Sequence, residues 1–204
     1  FQLAEQREIL RILSELTAQV GEIRDTVAES LKALIEVDVL FACGGYSIEV
    51  VGSAPTISDE PIIRIEDGRH PVLLQRHDRS DVVPLSVSLG GESTTLVITG
   101  PNAGGKTVAL KTIGLLSVCA ASGLHIPAGS DTTLFPFAPV FVDIGDDQSI
   151  EQDLSTFSSH LVHLREIVNG ADDRSLVLVD EIGSGTDPDE GGAIAMAVLT
   201  ELRA

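Results

Sequence analysis

Two stretches of this 204-residue chain hold residues at spacings suited to phosphate chemistry. The first is Gly100-Pro101-Asn102-Ala103-Gly104-Gly105-Lys106-Thr107, which follows the β-branched, apolar run Leu96 to Thr99 and leads into helical periodicity. It reads G-x-x-x-x-G-K-T in the strand, loop and helix setting that gives this P-loop pattern its meaning. Gly100 and Gly105 permit a turn tight enough to aim successive backbone N–H groups at phosphate oxygens. The helix expected to start near Gly105 adds the positive end of its dipole. Lys106 can reach the β- and γ-phosphates of a nucleotide, and the Thr107 hydroxyl suits Mg2+. A glycine-rich turn that merely precedes Lys-Thr is the plain alternative, and the flanking strand and helix weigh against it.

The second stretch is Ser175 to Glu181, a four-residue apolar run that ends in Asp180 and Glu181. At the carboxyl end of a buried parallel strand such acids face the crevice where α/β sheets bind ligands. One carboxylate to hold Mg2+ and the next to polarise a water is what phosphoryl transfer to water requires. Adjacent acids after a strand are often only a solvated strand end. Several elements downstream of a P-loop they gain meaning. Ser155 and Thr156 precede the helical pattern Phe157, Leu161, Leu164, Val168. They could cap that helix or, at the same terminus, grip a phosphate.

The elements that must position these residues are legible in outline. From Ile9 to Phe41 the apolar residues step by fours and threes, a 3.5-residue repeat with Ser30 at the one missed position. This is a lever or dimer arm, or else an ordinary amphipathic core helix, expected to break at Gly44-Gly45. Gly52 to Pro61 reads as a loop, with a domain boundary near residue 55: a helical segment over 1–54, then a nucleotide-binding domain over 55–204. Pro61 to Ile65 alternates as a strand, Glu66-Asp67-Gly68 is a turn, and Arg69-His70-Pro71-Val72-Leu73 resumes extended structure. His70 could be a ligand or a hydrogen-bonded structural histidine; His77 reads as solvated and His125 as structural. After the P-loop, Val108 to Val118 is apolar nearly all round, as for a helix buried on a sheet, ending at Ser122-Gly123. Pro139 to Ile144 is a second buried strand, followed by the acidic run 145–153. Asp187 and Pro188 begin a last helix with capping and first-turn chemistry.

Composition bounds the function. The hydrophobic share of 43% with 22% charged residues is that of a folded globular chain. A net charge of −18 argues against a general electrostatic trap for nucleic acid in these residues. Cys43 and Cys119 match no metal or redox spacing and are expected as buried free thiols of a reducing cytoplasm. No apolar run reaches membrane-spanning length, so no membrane partner is expected. The chain starts inside one helical pattern and ends inside another, which reads as a fragment.

The motifs together resemble the ATPase domain of MutS proteins. Gly100 to Thr107, Ser175 to Glu181 and Gly183-Ser184-Gly185-Thr186-Asp187-Pro188-Asp189-Glu190-Gly191 carry the resemblance; Arg69-His70-Pro71 is similar to that domain's entry and Ser155-Thr156-Phe157 to its signature. The run from Asp143 to His160, and Thr107 in place of serine, resemble the second bacterial branch rather than the mismatch-repair branch. The resemblance implies an α/β, ABC-like P-loop NTPase with a mixed, largely parallel sheet, preceded by a long helical arm. It implies ATP and Mg2+ as cofactors, with Thr107 and Asp180 on the metal, Glu181 as base and Asn102 placing the attacking water. Gly100, Pro101, Asn102, Ala103, Gly104, Gly105, Lys106 and Thr107 would bind ATP, and Ser155 and Thr156 would contact the γ-phosphate held by the other subunit of a homodimer, alongside capping. Aliphatic Val82 and Val83 would flank the adenine.

The branch implies suppression of homologous recombination through branched DNA, bound by parts of the parent protein outside these residues. Its members have also been implicated in sensing and splitting collided ribosomes. A nuclease domain and a switch histidine would lie beyond residue 204. Two further readings compete with an ATPase that drives a clamp: a module that ATP dimerises with little hydrolysis, and a head domain of the SMC or RecN kind. Dimerisation by Mg-ATP without phosphate release would mark the first. The second lacks its L-S-G-G-Q signature here.

Overall fold

A computed structural model describes residues 2–101, 104–145 and 153–203, with residues 153–159 described by their backbone alone. The chain divides into two compact units, residues 1–45 and 46–204. In the first, helix α1 (Gln2–Glu49) begins and continues without interruption past Gly44-Gly45. The expected break is therefore corrected. Each glycine costs a helix only about 1 kcal/mol, and the regular residues on either side outweigh the pair. The apolar residues of the 3.5-residue repeat lie exposed along this helix.

The second unit is built on two sheets with a helix between them. Strands β1 (Thr56–Ile57), β2 (Ile63–Gly68), β3 (Leu85–Leu89) and β4 (Thr133–Leu134) form a sheet in the order β1-β4-β2-β3. Only β1 and β4 run parallel in it; β2 is antiparallel to both neighbours. Strands β5 (Val140–Asp143) and β6 (Leu176–Val179) form a parallel pair. The architecture is mixed α/β with a mixed sheet, and parallel pairing does not predominate among the described strands.

Helix α3 (Lys106–Ala121) lies between these sheets. Its Ile113, Leu116 and Ala120 share one core with Ile63 and Ile65 of β2, Leu134 of β4, and Leu176 and Leu178 of β6. Gly114 brings the helix hard onto β6, where an added Cβ would stand 2.5 Å from Leu178 Cδ1. The helix ends as its composition suggests, with Gly123 in the left-handed region at φ 79°.

Three local expectations are corrected. Glu66-Asp67-Gly68 belongs to β2, and the turn appears instead as a register shift between Ile65 and Gly68 with Asp67 at φ 49°. His70 occupies the N-cap position of a short helix, α2 (Pro71–Leu74), without a side-chain cap hydrogen bond, and proline at the first helical position presets the helical φ. Leu96 to Thr99 is not a paired strand, since an extended segment becomes one only through a ladder partner and none occurs among the described residues. Val97 is 65% exposed there.

Candidate nucleotide site

The site is assembled at the carboxyl ends of β5 and β6 and the amino end of α3. Val140 to Asp143 pairs in register with Leu176 to Val179, and the Asp180 N–H extends the ladder by donating to the Asp143 carbonyl at 2.9 Å. Asp143, Asp180 and Glu181 therefore emerge together where parallel strands present ligands. Across the sheet ends, the loop from Gly100 delivers α3. Gly100 (φ 149°) and Gly105 (φ 78°) both occupy backbone conformations that disfavour side chains. Gly104 N–H closes a turn onto the Pro101 carbonyl at 2.9 Å, and Lys106 Nζ donates to the Gly100 carbonyl at 2.9 Å.

A hydrogen bond links the two motifs. Thr107 Oγ1, in the first turn of α3, donates to Asp180 Oδ2 at 2.5 Å across 73 positions of sequence. Two hard oxygen atoms thus stand side by side next to a helix amino terminus. That donor set fits Mg2+, which takes one or two protein oxygens and fills its octahedron with waters and substrate phosphates. Among the described residues no group of three or more His, Cys, Asp or Glu side chains could hold a metal. A site that depends on the nucleotide for its remaining ligands needs no such group.

Glu181 sits just past Asp180 in the left-handed region, at φ 51°. A non-glycine residue held there marks local strain of the kind that active sites retain. The following loop is packed by glycines: a Cβ on Gly183 would collide with the backbone of Gly191, and one on Gly191 with the Gly183 carbonyl. Ser184 N–H donates to the Glu181 carbonyl at 3.0 Å, closing the turn. Helix α5 (Pro188–Arg203) then starts as its sequence suggests, with Asp187 Oδ1 accepting the Asp189 N–H at 3.0 Å.

Other site residues are only partly placed. Asn102 and Ala103 lie outside the described residues, as does the acidic run 146–152. Ser155 and Thr156 already lie within helix α4 (Asp153–Gly170), so neither precedes it as an N-cap. Their side chains are outside the described set. Val82 is buried while Val83 is exposed, so the two do not present a common aliphatic face. His125 is structural, its Nδ1 2.7 Å from Ser47 Oγ. Burial, and then Lys111, hold the pKa of His70 below the ordinary histidine value. Cys43 and Cys119 are free thiols and only half-buried.

A feature that the sequence pattern does not reveal is Asp143 itself. Its carboxylate is 6% exposed and accepts from His160 Nδ1 of α4 at 3.1 Å, with His163 Nδ1 3.7 Å from its other oxygen. His160 lines the same small cleft as Asp143, Asp180 and Glu181. An acid closing a strand with histidines at i and i+3 of a later helix was the available signal, but only the strand pairing shows they meet.

Comparison with known proteins follows the same residues. Residues 96–204 match the MutS domain V family. The chain is 52% identical to an Endonuclease MutS2 of Pelotomaculum thermopropionicum over 98% of its length, covering 25% of that protein. It is 50% identical to an Endonuclease MutS2 of Clostridium botulinum and 48% identical to one of Clostridium kluyveri, with the same coverage of 98% and 25%. The chain thus spans about a quarter of the length of the curated relatives it matches.

Proposed function

Because this chain belongs to the MutS family through its domain V, we propose that it is the ABC-like P-loop nucleotide-hydrolysing portion of a dimeric clamp. The observation that carries the reading is the Thr107–Asp180 hydrogen bond, which joins the glycine-rich loop to the strand-end carboxylates. Gly100, Pro101, Asn102, Ala103, Gly104 and Gly105 would wrap the phosphates of ATP, with backbone N–H groups from all but Pro101, which has none, and Lys106 would neutralise the β- and γ-phosphates. Thr107 and Asp180 would hold Mg2+, which supplies charge stabilisation at the transferring phosphoryl group. Glu181 accepts a proton from the attacking water, oriented with the help of Asn102. Ser155 and Thr156 would reach the γ-phosphate bound by a second copy, so that each site is complete only in the homodimer.

The clamp would act in the bacterial cytoplasm on branched DNA to suppress recombination. Among the described residues no helix is long and apolar enough to cross a membrane. A net charge of −18 supports a DNA-contacting surface elsewhere in the protein. Paired variants test the chemistry. Glu181→Gln should bind ATP and retain it unhydrolysed, whereas Lys106→Ala should fail to bind. Wild-type turnover by the Glu181 variant would remove that residue from the mechanism.

A further inference from the structure

The strand ends carry one buried carboxylate that the proposed hydrolysis does not use. Asp143 is held on both sides: its backbone carbonyl receives the Asp180 N–H at 2.9 Å, and its carboxylate receives an N–H from His160 at 3.1 Å. The carboxylate can only accept, so His160 must carry its proton on Nδ1 in this contact. His160 sits on the buried face of α4 with Leu164 and Ile167, both 4% exposed, at helical spacing. Its ring also packs over Gly145, where an added Cβ would lie 3.4 Å from Cε1. Ser155 and Thr156 lie four to five residues earlier on the same helix, about 6–8 Å along its axis. A continuous path therefore runs from the first turn of α4 through His160 and Asp143 to Asp180 and Glu181.

We propose that His160 is a positioning residue, which through Asp143 fixes the first turn of α4 relative to the Asp180–Glu181 strand end. The inference rests on the ATPase reading above and deepens it. Without His160 the buried carboxylate keeps His163 beside its other oxygen at 3.7 Å but loses its hydrogen-bond donor, and must move or admit water. Because the Asp143 carbonyl is part of the ladder that seats Asp180, that movement is delivered to the catalytic carboxylates. The same loss removes one tie near the first turn of the helix that carries Ser155 and Thr156, while Leu164 and Ile167 still anchor it. Thr107 meets this strand end through Asp180, so Mg2+-dependent affinity would share the perturbation, whereas ATP affinity measured without Mg2+ should separate from turnover.

The test uses the full-length protein with His160→Ala and His160→Asn, measuring steady-state ATP turnover and, separately, ATP affinity without Mg2+, where no hydrolysis occurs. The asparagine amide N–H can donate from near the position of Nδ1. His160→Ala should lower kcat about 10- to 100-fold, the scale of a misplacement near 1 Å, while ATP affinity without Mg2+ stays within about twofold. His160→Asn should recover most of the lost turnover. Unchanged turnover in the alanine variant would overturn the inference. So would a parallel loss of affinity, or an asparagine variant as impaired as alanine, since either describes mere loss of structure. Glu181→Gln in the same assay separates the two levels. If it is inactive while His160→Ala is fully active, only the positioning role fails; if Glu181→Gln turns over normally, the ATPase reading fails and takes the inference with it.

Discussion

Gly191 and Gly192 are neighbours on α5, and replacing each with alanine makes the same chemical change with opposite expected signs. At Gly192 nothing lies within 4 Å of an added Cβ. The substitution should return the helix propensity that glycine forfeits, about 0.8–1.0 kcal/mol. At Gly191 the same Cβ would overlap the carbonyl oxygen of Gly183. That atom is backbone and cannot swing aside, so α5 or the loop must shift, at an overpacking cost of about 1–3 kcal/mol. Set against the same propensity gain, the net change is a loss of up to about 2 kcal/mol. A domain of this size moves in Tm by roughly 2–4 °C per kcal/mol. Thermal unfolding followed by circular dichroism should therefore place Gly192→Ala above wild type and Gly191→Ala below it. Gly183 is two residues from Glu181, so ATP turnover should fall in the Gly191 variant and hold in the other. Equal stabilisation by both, with turnover unchanged, would refute the glycine contact as the element that seats the Glu181 loop.

Thr107→Val keeps the side-chain shape but removes the donor to Asp180. It should cost the nucleotide-free protein about 1–3 kcal/mol in denaturant unfolding and shrink the Mg2+-dependent gain in ATP affinity; an undiminished gain would exclude Thr107 as a metal ligand. Tyr46 is the single tyrosine of a chain without tryptophan, so its ionisation can be followed by ultraviolet absorbance. Burial, and then the neighbouring Cys119 thiol, push its pKa up to about 12. The folded phenol therefore keeps its proton where the unfolded one has released it. This contribution to stability is complete below about pH 10 and is lost as pH rises toward 12. Tyrosinate appearing near pH 10 in the native chain would contradict the burial.

Much of the site is legible in the amino-acid sequence because its signals are local. A lysine and threonine after a glycine turn, or two acids after four apolar residues, need no partner to be recognised. Strand β6 and helices α3 and α5 are similarly written in short-range chemistry: Leu176 to Val179 as a continuous apolar run, Gly123 as a stop, Asp187 as a cap. Sequence patterns fail where a neighbour decides. Leu96 to Thr99 has strand composition but no ladder partner among the described residues. Glycines 44 and 45 do not end α1, because the helical residues on both sides continue it. The Asp143–His160 contact spans 17 residues and exists only because β5 ends beside α4. A histidine in an apolar helix gives no hint of a buried acid until the strand beside it is known.

The claim that each nucleotide site is shared between two copies is the centre of the proposed mechanism, and one measurement addresses it most directly. Specific ATPase activity of the full-length protein should be determined across protein concentrations that span its dimerisation. A site completed by Ser155 and Thr156 of a second copy predicts activity per molecule that rises with concentration and levels off as dimers saturate. High activity that stays flat down to concentrations where the protein is shown to be monomeric would contradict the shared site, even with Thr107, Asp180 and Glu181 placed as described.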